Sequence, residues 1–444
     1  MHEKMVRIGP MASPEFPLDR RAFLTGLGAA SLCPALPASV MAQTRIALTL
    51  QTRAERISLR PDQADASVWS IGGPELRFKR GDMLDVSLAN GEPGPVALSW
   101  RGIDGGAAAE PLASRPPLAA GATETFALHL RHAGTFLCDA GLLGDGGARP
   151  SRGRALIAAE SSPISVDRDE VLLIEEWRLK SDGSALAPGL DPENSKLFHT
   201  INGKTSLDIS ARVNDRLRLR FINAGHRTVV AVKIENLELR VMAIDGQPAE
   251  PFPARNGALV LPPGGRTDIF VDVTGAAGTS SSILLHDGKE ARSIGRLIVT
   301  DAQPTRSTPQ RPAPPLPSNG LPTQLDLKSA QRFELPLAGL QAGWVAPTKL
   351  STTDPLAFRA GRTVVLALTN PGARPNVFHL HGHHFRLLDR LDDGWKPFWL
   401  DTLAIEPGQT QRIAFLAEHA GRYLIESVAT DWAAPRLLRW YSVA

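Results

Sequence analysis

The string best equipped for chemistry is Phe378-His379-Leu380-His381-Gly382-His383-His384-Phe385, which holds four of the chain's 11 histidines. Along an extended strand His379, His381 and His383 fall on one face, and Phe378 and Leu380 fall on the other. Neutral imidazoles at that spacing can converge on one metal centre, and imidazole suits copper. The plainer alternative for any one of them is a hydrogen-bonded core histidine. Cysteine offers little: only Cys33 and Cys138 are present, which excludes a disulfide framework and any Cys-rich zinc or iron–sulfur site. Cys138 reads as a small buried hydrophobe. The Gly141–Gly147 run lacks the strand-to-helix setting and the Lys/Ser of a phosphate loop. His129 and His132 ahead of Gly134, and His419 ahead of Gly421, read as turn-structuring residues.

The elements that must position these groups come as an internal repeat. Gly81–Asn90, Asn214–Asn223 and Gly361–Asn370 each alternate apolar and polar residues between a turn residue and an asparagine. Each is a period-2 strand, with Leu84/Val86/Leu88, Leu217/Leu219/Phe221 or Val364/Leu366/Leu368 facing inward. Downstream, Gly121 and Gly134 bracket a second strand, and Gly408 and Gly421 bracket its counterpart at the same spacing. In the middle copy Gly265 and Gly278 keep the spacing, although the apolar register fits Gly264, which suggests a small insertion or bulge. Each repeat is too long for a solenoid unit, so each is a domain. Short strands with Gly/Pro turns, from 39 Gly and 36 Pro, make the fold all-β, a Greek-key sandwich or barrel in each domain. The expected boundaries are 44–160, 161–302 and 323–444, with a Pro-rich connector over 303–322.

Composition narrows the function classes. The 444 residues are 43% hydrophobic and 21% charged with a net charge of +3, which excludes disorder as the dominant state. No Lys/Arg run with interleaved aromatics appears, so nucleic acid is not an expected partner. Arg20-Arg21-Ala22-Phe23-Leu24 opens a modest apolar stretch ending in Val40-Met41-Ala42. This resembles a Tat export signal, handled by the Tat translocase, cleaved near Ala42 and leading to the periplasm. The alternative, a membrane anchor, is poorly served by Gly26, Gly28, Pro34 and Pro37. No later run reaches membrane length, so no transmembrane segment is expected in the mature chain.

Asn376-Val377-Phe378-His379-Leu380-His381-Gly382-His383, followed by Asp401-Thr402 and Pro407-Gly408, resembles the third domain of a multicopper oxidase. The three repeats and the export signal agree, so the likeness covers essentially the whole mature chain and implies three tandem cupredoxin-like domains. It also implies a blue copper, a trinuclear copper cluster between the first and third domains, and four ligand motifs. Here Asn376 stands where a blue-copper His belongs, while His379 and His381 match cluster ligands. Ser99-Trp100-Arg101-Gly102 stands for His-Trp-His-Gly, and Asp139 and Gly141 stand at the His positions of the second motif. Glu426-Ser427-Val428 replaces His-Cys-His, and the later ligand positions fall near Trp432 and Leu437. Only His379 and His381 are kept. Blue copper needs a thiolate, and Ser427 has none.

The resemblance therefore implies a degenerate copper site. Arg101 repels copper and suits carboxylates, so an Arg101–Asp139/Glu426 ion-pair network is expected where the metal would sit. The leading reading is a non-enzymatic periplasmic binding or scaffold protein with no cofactor and an unknown protein partner. It is similar in kind to FtsP-type cell-division proteins of the same architecture. The alternative is a multicopper-oxidase-family oxidoreductase or metal-binding protein. It would hold at most one copper or other divalent ion at His379, His381 and Glu426, with Asp139 nearby.

Overall fold

The alternating segments build the same three-stranded core three times. Met83–Asn90 pairs antiparallel with Thr123–His129, Arg216–Asn223 with Arg266–Asp272, and Thr363–Thr369 with Thr410–Leu416. On its other side each takes a parallel neighbour: Arg45–Ile57, Arg168–Lys180 or Gln331–Pro336. The computed structural model describes residues 45–60, 65–338, 342–389, 394 and 396–444; the export segment lies outside them. Among the described residues the strands form three pairs of sheets, of four and four, six and five, and four and five strands. Each pair encloses its own apolar core, as two half-buried sheets must. No helix among the described residues is long and apolar enough to cross a membrane.

The repeat asparagines have one job in all three copies. Asn90, Asn223 and Asn370 each accept from the N–H two residues on, at 2.9, 2.9 and 3.0 Å. Each also donates its amide to two carbonyls, tying the strand end to a later turn. The N–H groups of Gly121, Gly264 and Gly408 donate back to the asparagine carbonyls. Gly264, not Gly265, is therefore the middle counterpart, which corrects the spacing-based match in favour of the apolar register.

The polar face of Arg216–Asn223 does not meet water as its alternation suggests. Arg218 and Arg220 are each 1% exposed and share Asp268, at 2.6 and 3.0 Å. Arg220 also donates to the Thr135 hydroxyl at 2.9 Å, which welds this sheet to the first repeat. Buried charges persist only when paired in this way. Residues 303–322 contain no strand and bond to the first and second sheet pairs. Arg306 bonds Asp167 at 2.7 Å, and Asn319 exchanges hydrogen bonds with the Ala133 backbone at 2.9 and 2.8 Å.

Candidate functional site

Strand Asn376–Leu380 carries the start of the histidine string and lies between Thr402–Ile405 and Gly421–Ala429. Register sets His379 opposite both Thr402 and Glu426. The strand stops at Leu380, and Gly382 turns the chain with φ of 73°. A Cβ there would lie 2.1 Å from the Tyr423 ring, so the bend requires glycine. The expectation that His379, His381 and His383 share one face fails at this bend. His379 and His381 stay together, with ring centroids 4.7 Å apart. His383 instead packs against Phe415 and Tyr423, its Nδ1 2.7 Å from the Tyr441 hydroxyl.

His379, His381 and Glu426 bring ligand atoms within 4.8 Å of one another, all buried. Their valences are largely taken. Glu426 faces Arg101 Nη2 at 2.8 and 2.9 Å, the Arg436 guanidinium, and His381 Nε2 at 2.8 Å. Burial pushes the Glu426 carboxyl up, but Arg101, Arg436 and His381 together hold it well below the usual carboxylate range. The other His381 nitrogen, Nδ1, lies 2.8 Å from Glu110 Oε1. Burial opposes charge on this ring, yet the two carboxylates raise its pKa to about 9. Both nitrogens are then donors, so the imidazolium has no lone pair to offer a metal.

His379 goes the other way. Burial, and then the Arg101 charge, lower its pKa to about 3 and keep the ring neutral. The Thr402 hydroxyl donates to Asp401 at 2.6 Å and lies 2.9 Å from His379 Nδ1, which assigns the proton to Nδ1. His379 Nε2 has no hydrogen-bond partner. His379 lines a cavity of about 20 Å³ together with Arg101, Asp139, His226, Glu426 and Arg436. That is room for about one water.

Asp139 does not join Arg101, contrary to the expected network. Its Oδ1 accepts from the Gly141 N–H at 2.9 Å and the Ser151 hydroxyl at 3.2 Å. A carboxylate at a strand end is captured by the backbone two residues on, and that local turn wins here. Arg436 fills the role instead. Its own N–H reaches Asp145 at 2.5 Å, a carboxylate that also takes Arg227 at 2.7 Å. Neither Arg436 nor Glu110 was visible as a site residue in the sequence. The one available hint for Arg436 was its place in the segment where the later copper ligands belong.

A second buried group was also missed. Asp104, His132 and His384 bring ligand atoms within 4.8 Å of one another. His384 donates through Nδ1 to Asp104 at 2.7 Å and through Nε2 to the Asp245 carbonyl at 2.8 Å. His132, kept neutral by burial with a pKa of about 4, accepts at Nδ1 from Gln247 Nε2 at 2.9 Å. Gln247 is oriented by Asn319, 3.0 Å from its Oε1. Side chains from all three sheet pairs meet in these contacts, so this junction ties the pairs together and reads as structural. His132 is thus more than a turn residue. Nearby, Arg266 grips Asp401 with both terminal nitrogens, and Asp245 accepts from the Asp401 and Thr402 N–H groups at 3.1 and 3.2 Å.

Models of the multicopper oxidase family match residues 169–280 and 319–443. The chain belongs to the multicopper oxidase superfamily. Among curated proteins it is similar to multicopper oxidase MmcO of Mycobacterium tuberculosis, 23% identical over 90% of this chain and 88% of that one. Laccase-7 of Arabidopsis thaliana is 25% identical over 51% of this chain and 43% of its own length. Among solved structures, a multi-copper oxidase from Pseudomonas thermotolerans superposes with a TM-score of 0.78 at 22% identity, covering 91% of this chain and 100% of that one. Lac15 from a marine microbial metagenome gives 0.73 at 25%, covering 90% and 100%. The two-sheet units are therefore cupredoxin-like. The Ser427 hydroxyl, which the sequence resemblance sets at the thiolate position, lies 2.5 Å from the Leu337 carbonyl and 3.0 Å from Asn376 Oδ1.

Proposed function

We propose that this multicopper oxidase relative holds no copper and acts in the cell envelope by binding a partner protein rather than by oxidising a substrate. The set of partners around Glu426 carries the reading: two guanidiniums and an imidazolium converge on one buried carboxylate in place of metal. The residues do not fit the superfamily's coppers. Arg101 has no lone pair, His381 has both nitrogens committed to carboxylates, and Ser427 supplies no thiolate. Cys138 is the free thiol among the described residues; it is buried, and burial raises its pKa far out of the reactive range. The twin-arginine segment supports export through the Tat translocase, cleavage near Ala42 and a periplasmic location. A scaffold role of the kind seen in FtsP-type cell-division proteins is consistent with that address.

One observation favours a second reading. His379, His381 and Glu426 lie within 4.8 Å, and His379 Nε2 is unpartnered, so one copper or other divalent ion could be held there. That site would require His381 to lose a proton and Glu426 to release a guanidinium. The deciding experiment is metal analysis, visible spectroscopy and an oxygen-uptake assay on the mature protein after copper loading. The expected result is no bound copper, no oxidase activity and no band near about 600 nm. Strong blue absorption or several bound coppers overturns the proposal. A single tight ion lost in both His379→Ala and His381→Ala supports the second reading.

A further inference from the structure

A cleft of about 440 Å³ opens on the far side of Gly153 from the Glu426 centre, between the first and second sheet pairs. Three arginines line it, two of them anchored and one not. Arg152 is anchored through Nε to Glu175 at 2.5 Å, a carboxylate only 1% exposed. Glu175 is itself fixed by the Thr200 hydroxyl at 2.9 Å and the Gly203 N–H at 2.6 Å. The two terminal nitrogens of Arg152 make no hydrogen bond with the described residues. Arg154 is held by carbonyls alone, Ile71 at 3.1 Å, Pro74 at 2.5 Å and Gly73 at 3.5 Å, so no carboxylate neutralises it. Arg53 has no hydrogen-bond or ion-pair partner among the described residues and lies over Gly72, where a Cβ would come 3.4 Å from its Cζ. Gly72 has an ordinary backbone conformation, so the missing side chain is space left for the guanidinium rather than a demand of the turn.

We infer that this cleft is a binding site for a small organic oxyanion, a phosphate or carboxylate head on an apolar body. The head group faces unused guanidinium donors of Arg53 and Arg152, whose planar forks suit oxyanions bidentately. Arg154 adds an uncompensated positive charge. The body rests on Ile71, Val171 and Leu173, which line the same cleft. Glu55 also lines it and forms no ion pair with these arginines. One carboxylate against two unneutralised guanidiniums leaves the cleft net positive, which favours a ligand of low negative charge. Arg152 is preorganised by its buried partner and Arg154 by three carbonyls, so the ordering required on binding falls mainly on Arg53.

The test is calorimetric titration of the mature protein with phenyl phosphate, benzoate and inorganic phosphate at low salt. Phenyl phosphate or benzoate should bind, whichever is tighter naming the head group, and inorganic phosphate should bind at least fivefold more weakly. Arg53→Gln, at an exposed position, should weaken the better ligand at least fivefold, and Gly72→Leu should do the same by occupying the cleft. Arg45→Gln, which like its partner Asp85 does not line the cleft, should change nothing. No binding by either aromatic probe overturns the inference, as does affinity unaffected by both cleft variants. Equal affinity for inorganic phosphate overturns the apolar-body part. Because the readout is independent of copper, failure here leaves the reading of the Glu426 centre standing.

Discussion

The Arg101–Glu426 contact can be taken apart by a double-mutant cycle. Arg101 has Glu426 as its one side-chain acceptor, in a site where the two side chains are 7% and 1% exposed. Glu426→Gln therefore strands a buried guanidinium with no anion and leaves Arg436 facing a neutral amide. Breaking a buried pair from one side costs about 3–5 kcal/mol. Arg101→Met is milder, because Glu426 keeps Arg436 and His381. Loss of hydrogen bonds to a charged group then sets the scale, about 1.5–3 kcal/mol. In the double variant the stranded charge is gone, so the combined cost should fall below the sum of the two. The coupling should reach at least about 1 kcal/mol, as expected for residues in contact. Urea unfolding followed by tryptophan fluorescence measures each term; the chain has 8 tryptophans for the purpose. Costs within about 0.5 kcal/mol for both single variants, the range of ordinary surface substitutions, would refute an ion-pair centre in place of metal.

The buried histidines predict a stability maximum close to pH 6.5. His379 and His383 fold neutral with pKa values of about 3, and His132 and His199 with values of about 4, all lowered by burial. Below pH 6.5 the unfolded chain binds more protons at these sites, so their contribution is lost as pH falls toward 3–4. His381 and His384 fold charged, their carboxylate partners overcoming burial to raise them to about 9; their contribution is full below 6.5 and lost as pH rises through 9. Urea midpoints that climb steadily from pH 5 to pH 9 would contradict this. Gly382→Ala should cost at least about 2 kcal/mol in the same assay, since its Cβ would strike the Tyr423 ring at a left-handed φ. Cys138 in the mature protein should resist a thiol reagent until denaturant is added, then react with one equivalent; rapid native labelling would show that its burial is wrong.

Much of the architecture was legible because it is carried by local periodicity. The alternation in Met83–Asn90, Arg216–Asn223 and Thr363–Thr369 needs only the pleat to decide which side chains face a core. The recurring asparagines marked equivalent strand ends, and their hydrogen bonds show why that residue recurs. The choice between Gly264 and Gly265 turned on backbone pairing, which spacing alone does not encode. The buried face of Arg218 and Arg220 was also hidden, because alternation says nothing of what covers the second face of a sheet.

The chemistry divides along the same line. Residue types alone determined that Ser427 offers no thiolate and that Arg101 offers no lone pair. Tertiary structure decided the rest. Glu110 and Glu426 meet at His381 and Arg436 closes on Glu426, Asp139 turns to its own loop, and Gly382 sends His383 away from the other two histidines. An ion pair between residues 325 positions apart is set by how sheets dock, and that docking is settled by apolar burial over whole faces. Which carboxylate a buried cation finds is a consequence of that packing, and no local pattern in the chain records it.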